Sequence, residues 1–219
     1  MDPGSIPGIS TKLDPWVQTQ GSNDLTATRY PFPMIEIRPI SPSELDGFLE
    51  FMDGPAFATE PKWQGCYCQT YLNTKSENEE GERNPERNRQ RACDRISSDV
   101  MQGYVAIDVL DGSEKVVGWM AANSFKNYAA LPPGPDNEAA IICFVVDKDY
   151  QGRGVATRLL SFGLADLPKR GYVAANAAPL ASGEFFNWGY RGPRSMFEKA
   201  GFEAGPMLDD KHVLMRKSL

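Results

Sequence analysis

Alternation of apolar and charged residues forms the first regular pattern of the chain, over residues 34–40. Ile35 and Ile37 alternate with Glu36 and Arg38. A period of two residues is typical of a strand with one face toward the core and one toward water. The sequence therefore predicts that a short strand opens the folded part of the chain.

Helical spacing follows over residues 42–53. The apolar positions there lie mostly three or four residues apart, at Leu45, Phe48, Leu49 and Met52. This spacing predicts an amphipathic helix, and Ser41 and Pro42 are typical of a helix start. A second helix is predicted from Pro85. Residues 55–83, between the two helices, show no period and predict a long irregular crossing.

Three apolar segments after residue 100 predict the strands of a sheet. Residues 103–110 and 115–125 are joined through Asp111-Gly112, a dipeptide that favours a tight hairpin turn. Residues 139–147 form a nearly continuous apolar run, which is typical of a strand buried on both faces. We expect this third strand at the centre of the sheet.

The rest of the chain alternates helices and strands. The pattern predicts a helix over 154–167, a strand over 172–177, a helix over 193–200 and a strand over 212–216. Hairpins mixed with one strand-helix-strand unit indicate an α+β fold, a sheet with helices on both faces.

Two regions of the chain differ in patterning. We expect one domain over residues 34–219. Residues 1–33 mix Gly, Pro, Ser and Thr without a period. They predict a flexible arm or a leader added to the native chain.

Charge and composition argue against several classes of protein. The 23 Lys and Arg against 29 Asp and Glu give a net charge of −6, whereas a nucleic-acid partner normally requires a basic excess. No apolar run reaches the roughly 18 residues of a membrane helix, and no secretion signal is visible, so we expect a cytoplasmic protein without a membrane partner. The four cysteines are too few for a disulfide scaffold and indicate reduced thiols.

The segment that carries chemistry follows the central strand and reads FVVDKDYQGRGVATRLL. Four residues separate Asp147 from Gly152-Arg153-Gly154. Glycines let the backbone approach a ligand closely, and the helix after them begins with N–H groups that have no intrahelical partner, a typical phosphate site. The lysine-serine pair of a Walker loop and the GxGxxG spacing of a dinucleotide site are both missing. An ordinary tight turn is the alternative interpretation.

The run from Val146 to Leu160 resembles motif A of the Gcn5-related N-acetyltransferase (GNAT) family, and the MFEKAGF segment from Met196 to Phe202 resembles the end of its motif B. A looser resemblance covers about residues 34–218. It implies a GNAT fold, with a mixed, mostly antiparallel central sheet that is flanked by helices and splayed around its central strands. It also implies acetyl-CoA as the acyl-donor co-substrate.

The resemblance implies two sets of residues that bind acetyl-CoA. The loop that cradles the pyrophosphate with its backbone amides consists of Gln151, Gly152, Arg153, Gly154, Val155 and Ala156. The strand that splays from its neighbour, and leaves backbone groups for the pantetheine amides, consists of Phe144, Val145 and Val146. Asn176, at the end of the opposite strand, is expected to hold a water or the ligand, with a turn-capping role as the alternative.

Acetyl transfer requires a polarised thioester carbonyl and a proton for the leaving thiolate. The amide of Val145 is the candidate for the first task. Many GNAT proteins use a tyrosine as the acid where this sequence has Phe197, so Tyr190, Ser195 and a bound water are the candidates here. Packing among aromatic residues is the alternative role for Tyr190. Glu138 is the first candidate for the base and Asp147, acting through water, is the other. A solvated loop position for Glu138 and a turn at the strand end for Asp147 are the alternatives.

The cysteines permit other interpretations. Cys66 and Cys68 are one residue apart, whereas zinc ligands are usually roughly two to four apart, so no metal site is predicted. Cys143, in an apolar strand, is more typical of core packing than of a nucleophile. The segment WQGCYCQTYL is similar to a W-x-G-C-x-C segment of some bacterial GNAT proteins. It is predicted to form a wall of the acceptor pocket or a buried aromatic plug.

These observations together predict an N-acetyltransferase that joins acetyl-CoA and the primary amine of a small acceptor in a ternary complex, without an acyl-enzyme. The acidic balance favours a cationic acceptor, and we expect a monomer or homodimer. A non-catalytic CoA-binding regulatory module is the alternative, because Phe197 occupies the position of the usual acid.

Overall fold

The computed structural model describes residues 34–110, 112–182 and 189–219. The arm predicted over residues 1–33 lies outside these ranges. The helices are α1 (Leu45–Asp53), α2 (Lys75–Arg83), α3 (Pro85–Ser97), α4 (Val155–Asp166) and α5 (Arg194–Lys199). The strands are β1 (Met34–Pro39), β2 (Gly103–Leu110), β3 (Ser113–Ser124), β4 (Glu138–Val146), β5 (Ala174–Ala177), β6 (Glu203–Met207) and β7 (Val213–Ser218).

The strands of the described ranges form one seven-stranded sheet in the order β1-β2-β3-β4-β5-β7-β6. Neighbouring strands run antiparallel except β4 and β5, which are parallel. A parallel pair requires a crossover connection, and α4 provides it. The predicted α+β class and the central position of β4 are therefore confirmed.

Helices cover both faces of the sheet, as predicted. Along β2, Val105 and Ile107 contact one core cluster, which includes the apolar faces of α1 and α3. Tyr104 and Ala106 point into the other cluster, which includes α4 and α5. The alternation of side chains along each strand thus divides the core into two layers. No helix in the described ranges is long and apolar enough to span a membrane.

Helix α2 corrects the prediction of an irregular crossing over residues 55–83. Its sequence, KSENEEGER, has no apolar stripe that a periodicity argument could detect. The helix is instead stabilised by a capping box, in which Thr74 N donates to Glu77 Oε2 at 2.7 Å and Glu77 N donates to Thr74 Oγ1 at 3.4 Å. An ion pair between Arg95 of α3 and Glu77, at 3.1 Å, joins the two helices.

Strand β6 was also not predicted from the sequence. It pairs only with β7 at the edge of the sheet, and all five of its residues are exposed. An edge strand without a buried face needs no alternation of apolar residues, and Gly205 and Pro206 within it are typical of loops. The sequence pattern therefore gave no strand signal.

The strands β4 and β5 separate after a short pairing, which confirms the predicted splay. They pair only from Glu138–Ala174 to Ile141–Ala177, while β4 continues to Val146. In the same region Ala121 of β3 pairs with Cys143 and Ala122 with Ile141, so Ile142 is an extra residue in β4. Such a bulge bends a strand and redirects the side chains after it.

Candidate active site

The loop after β4 is attached to the sheet through Asp147. Its side chain accepts a hydrogen bond from Asp149 N at 3.0 Å and forms an ion pair with Lys115 Nζ of β3 at 2.9 Å. Gln151 Nε2 donates to Val146 O at 3.2 Å and holds the other side of the loop against the strand. The loop is therefore fixed in position before any ligand binds.

Glycines give the end of this loop its shape. Gly152 and Gly154 have φ values of 72° and 78°, in the left-handed region that disfavours side chains. No atom lies within 4 Å of a Cβ built at either residue, so the space in front of the loop is open. Gly154 precedes α4, and no side chain caps the start of that helix. Its first N–H groups are available to a phosphate.

Tyr150 lies beneath the loop and was not identified from the sequence. Its hydroxyl donates a short hydrogen bond to the buried carboxylate of Asp108 on β2. Burial and this carboxylate raise the pKa of Tyr150 to about 12. The ring lies 5.7 Å from Lys115 Nζ and 5.6 Å from the Arg153 guanidinium, so it holds two cations beside the loop. The sequence could have indicated a role for Tyr150, because this residue directly precedes the QGRG segment.

Backbone amides of β4 face the open edge left by the splay. Phe144 N donates to Tyr190 O at 2.6 Å on that edge, and Asp147 N donates to Val117 O of β3 at 2.9 Å on the other. Because amides alternate along a strand, the amide of Val146 faces the open edge and that of Val145 faces β3. The structure therefore corrects the expectation that Val145 polarises the thioester.

One cavity of about 1110 Å³ joins the loop, the open edge of β4 and an aromatic segment. The predicted site residues that line it are Phe144, Val145, Val146, Gln151, Gly152, Gly154, Val155, Ala156, Tyr190 and Ser195. The segment predicted as a wall or as a buried aromatic plug also lines the cavity, through Trp63, Gln64, Gly65, Cys66, Cys68, Thr70 and Tyr71. The volume is sufficient for a ligand larger than a drug-sized molecule.

Tyr190 belongs to an aromatic cluster inside this cavity. Its hydroxyl lies 3.1 Å from the hydroxyl of Tyr71, and Arg191 Nη2 donates to Tyr71 Oη at 2.8 Å. The Trp63 ring packs edge-on against Tyr190 at 5.4 Å. Burial and the bond with Tyr190 raise the pKa of Tyr71 to about 12, so Tyr71 stays protonated at neutral pH. The sequence singled out Tyr190, but not its connection to Tyr71 and Arg191.

The sequence profile of the acetyltransferase (GNAT) family matches residues 67–189, more than half of the chain. The chain belongs to the GNAT acetyltransferase family. It is therefore an acyltransferase that takes acetyl-CoA as its acyl donor. The alternative of a non-catalytic CoA-binding module is thereby set aside. No curated protein matches the sequence of this GNAT protein.

Solved structures share the fold of this GNAT protein at low sequence identity. A protein from Acinetobacter baylyi described as an acetyltransferase is 11% identical, with a TM-score of 0.53 over 87% of this chain and 94% of that chain. The GNAT domain of PAT from S. lividans is 18% identical, with a TM-score of 0.50 over 84% and 90%. The PaiA N-acetyltransferase from Thermoplasma acidophilum, solved with coenzyme A, is 17% identical, with a TM-score of 0.49 over 85% and 99%.

Three predicted site residues of this GNAT protein do not line the cavity. Arg153 is exposed beside Tyr150. Asn176 Nδ2 donates to Glu138 Oε2 at 2.9 Å, and Glu138 forms an ion pair with Arg216 at 2.8 Å. The bonds from Arg216 and Asn176 lower the pKa of Glu138. A carboxylate stabilised in this way is a weaker base than an ordinary glutamate.

Phe197, at the position of the usual acid, lies in the core and does not line the cavity. Phe197 is fully buried against the rings of Phe144 and Phe202, at 6.1 and 5.2 Å, so a core contact occupies the position of the usual acid. Among the described residues, no group of three or more His, Cys, Asp or Glu side chains is arranged to hold a metal ion.

Proposed function

We propose that this GNAT protein transfers the acetyl group of acetyl-CoA to the primary amine of a small molecule, by direct attack in a ternary complex. The observation that carries the proposal is the single cavity that reaches from the glycine loop, along the open edge of β4, to the aromatic cluster of Trp63, Tyr71 and Tyr190. A donor bound along the loop and strand would present its thioester to an acceptor held at the cluster.

The donor half uses the loop and the strand. Within the predicted loop, the amides of Gln151 and Arg153 donate to Lys148 O and Tyr150 O, each at 3.4 Å. The backbone amides that would bind the pyrophosphate are therefore those of Gly152, Gly154, Val155 and Ala156, assisted by the positive end of α4 and by the Arg153 side chain at its edge. The open-edge groups of Val146 and Phe144 would pair with the pantetheine and polarise the thioester carbonyl. Phe144 N meets Tyr190 O in this structure, so the loop at Tyr190 would move slightly when the donor binds.

The proposed acid is Tyr190. The amine nitrogen attacks the thioester carbon, the carbon–sulfur bond breaks, and the thiolate takes a proton from the Tyr190 hydroxyl. The proton lost by the amine passes through water to solvent, and Tyr190 regains a proton from solvent water. Tyr71, whose hydroxyl is held by Arg191, stays protonated and donates a hydrogen bond to the Tyr190 phenolate in between. Ser195 lines the same cavity and is the second candidate. Glu138 and Asn176 bond to each other outside the cavity, so they carry no step in this proposal.

The acceptor half favours a small cationic molecule. Its wall is aromatic at Trp63 and Tyr71, and Glu82 contributes a carboxylate to the lining. The ammonium of Lys62 already lies 3.4 Å from the Glu60 carboxylate and 5.4 Å from the Trp63 ring, so this wall binds an ammonium group of the protein itself. Aromatic faces and carboxylates both attract ammonium groups. An amine with a second cationic group would therefore be concentrated at the cavity without requiring its reacting nitrogen to stay charged.

The remaining parts of the proposal concern the whole chain. Residues 34–219 are proposed as one transferase domain, preceded by an arm and related to the bacterial proteins with the W-x-G-C-x-C segment. The protein is proposed to act in the cytoplasm, as a monomer or homodimer, without nucleic acid or membrane. Light scattering of the purified protein distinguishes the two oligomeric states.

Calorimetric titration with acetyl-CoA and desulfo-CoA tests the donor half, and thiol release with a panel of amines tests transfer. We expect one-to-one binding of both nucleotides and thiol release that depends on the amine. Binding without release by any di- or polyamine would contradict the acceptor proposal. Absence of binding would contradict the donor site itself.

A further inference from the structure

Two thiols meet inside the cavity, from parts of the chain that are 75 residues apart. Cys68 Sγ and Cys143 Sγ are 3.5 Å apart. Both residues line the cavity, and they are only 6% and 9% exposed. A disulfide has a sulfur–sulfur distance of about 2.05 Å, so a movement of roughly 1.5 Å would join the two sulfurs.

The backbone around Cys68 adopts an uncommon conformation. Tyr67 and Cys68 have φ values of 45° and 53°, in the left-handed region that is unfavourable for residues with a side chain. Such conformations persist only where the surroundings impose them, and they occur often at functional sites. Here the Tyr67 hydroxyl is bonded to Asp53 of α1, and the result is that the Cys68 thiol points at β4.

The bulge in β4 brings the second thiol to the same place. Because Ile142 is an extra residue, Cys143 packs in the cluster that contains Cys68, while Phe144 packs in the opposite one. Cys143 thus directly precedes the residue whose amide faces the open edge. A covalent bond to Cys143 would act on the part of β4 beside which the proposed thioester lies.

We propose that Cys68 and Cys143 are a dithiol modification site, at which hydrogen peroxide that enters the cavity forms a disulfide and thereby blocks acetyl transfer. The cross-link is a property of the two thiols alone. Only the loss of transfer rests on the proposed function.

The chemistry balances with peroxide as the oxidant. One sulfur, as thiolate, attacks a peroxide oxygen, the O–O bond breaks, and one oxygen leaves as water while the other stays as a sulfenic acid. The second sulfur, also as thiolate, attacks the sulfenic sulfur, the S–S bond forms, and hydroxide takes a proton to leave as water. Two thiols and one hydrogen peroxide become one disulfide and two waters, and the sulfur pair loses two electrons.

The surroundings favour a small neutral oxidant. The bond with Cys143 and burial raise the pKa of the Cys68 thiol, and burial raises the pKa of Cys66. Both kinds of oxidant react with the thiolate, so the raised pKa slows both, but a large charged disulfide must also reach sulfurs in residues that are less than a tenth exposed. Hydrogen peroxide reaches a buried pair through the cavity more easily than a charged peptide disulfide does.

The test is peptide mapping of the reduced protein after exposure to hydrogen peroxide. We expect a cross-link between the peptides that carry Cys68 and Cys143, with the loss of two hydrogen atoms and recovery after dithiothreitol. Cys68→Ser and Cys143→Ser should abolish it. Two control variants should keep the cross-link. Cys66→Ser removes a thiol of the same cavity that is bonded to Thr70, and Cys93→Ser removes a thiol outside the cavity lining. Phenylarsine oxide, which bridges two neighbouring thiols, should bind the wild-type protein one-to-one and Cys68→Ser far more weakly.

The outcomes separate cleanly. A Cys66–Cys68 bond, or sulfinic acid at single cysteines without a cross-link, would overturn the proposal. Where a serine variant does not fold, Cys68→Ala, checked by circular dichroism, replaces it. Oxidation should reduce thiol release by the wild-type protein at least tenfold and reversibly, and should leave Cys68→Ser at its own starting rate. If oxidation reduced thiol release by Cys68→Ser as much as by the wild-type protein, the disulfide would not be what inhibits acetyl transfer. If the wild-type protein formed the cross-link but released no thiol even before oxidation, the proposed function would be contradicted and the dithiol site would not.

Discussion

The hydroxyl of Tyr190 lies 3.1 Å from the hydroxyl of Tyr71, 119 residues away in the chain. Arg191 donates to the same Tyr71 oxygen at 2.8 Å. This chain of polar groups reaches from a cation, through one phenol that remains protonated, to a second phenol in the cavity. It stabilises the phenolate that the proposed acid becomes when it gives up its proton, in a family member whose usual acid position is filled by the buried Phe197.

Replacing the proposed acid tests this arrangement. Tyr190→Phe removes the proton donor but keeps the ring against Trp63, so kcat for thiol release should fall by about 100-fold, the lower range for a general acid, with little change in KM for acetyl-CoA. Steady-state kinetics measure both constants. Tyr172→Phe is the matched control, since its hydroxyl bonds to Gln102 at 3.0 Å outside the cavity lining. Equal kinetics in the two variants would remove Tyr190 from the mechanism.

The glycine loop can be tested with a pair of equivalent substitutions. Gly154→Val places a branched side chain at a φ of 78°, in the open space where the pyrophosphate is proposed to bind, and should abolish acetyl-CoA binding in calorimetry. Gly171→Val carries the same strain, roughly 1–2 kcal/mol, at a φ of 88° with equally open surroundings, but lies beyond the other end of α4. It should lose comparable stability and keep binding. Binding retained by both variants would contradict the loop assignment.

Tyr150 is expected to position the loop rather than to react. Tyr150→Phe removes the bond to Asp108, whose other oxygen is already buried without a partner. Leaving the carboxylate unsatisfied should lower the free energy of unfolding by about 1–3 kcal/mol. KM for acetyl-CoA should rise while kcat changes little. A double-mutant cycle with Asp108→Asn should show strong coupling, and additive effects would contradict this role.

The pairing of Glu138 predicts a pH dependence of stability. Its pKa is lowered by Arg216 and Asn176, so its stabilisation is present above the unfolded-state pKa of about 4.3 and is lost as pH falls through the lower folded-state pKa. Glu138→Gln should therefore be less stable than the wild-type protein at pH 7, and the difference should shrink toward pH 3. Urea denaturation at several pH values measures it. A difference that is constant with pH would show that the ion pair contributes nothing.

Some parts of the fold could be predicted because neighbouring residues determine them. Ser41 caps the turn that leads into α1 through a bond from Ser43 N at 3.2 Å, and the apolar run of β4 could only be buried. Helix α2 was missed because its stability comes from a cap and from ion pairs with α3, rather than from an apolar stripe. Strand β6 was missed because an exposed edge strand needs no pattern.

In the site, too, features set by neighbouring residues could be predicted, and features set by contacts between distant segments could not. The sequence alone determined the glycine loop and the helix after it, because a left-handed turn and an uncapped helix start are local properties of QGRGVA. For the W-x-G-C-x-C segment the sequence predicted either a wall of the acceptor pocket or a buried aromatic plug, and the structure shows that the segment lines the cavity. Only the tertiary structure decided which β4 amides face the open edge, that Tyr71 and Arg191 support Tyr190, that Tyr150 rests on Asp108, and that Cys68 meets Cys143. Those relations depend on a one-residue bulge and on contacts between segments 42 to 120 residues apart, and no local pattern of apolar and polar residues encodes them.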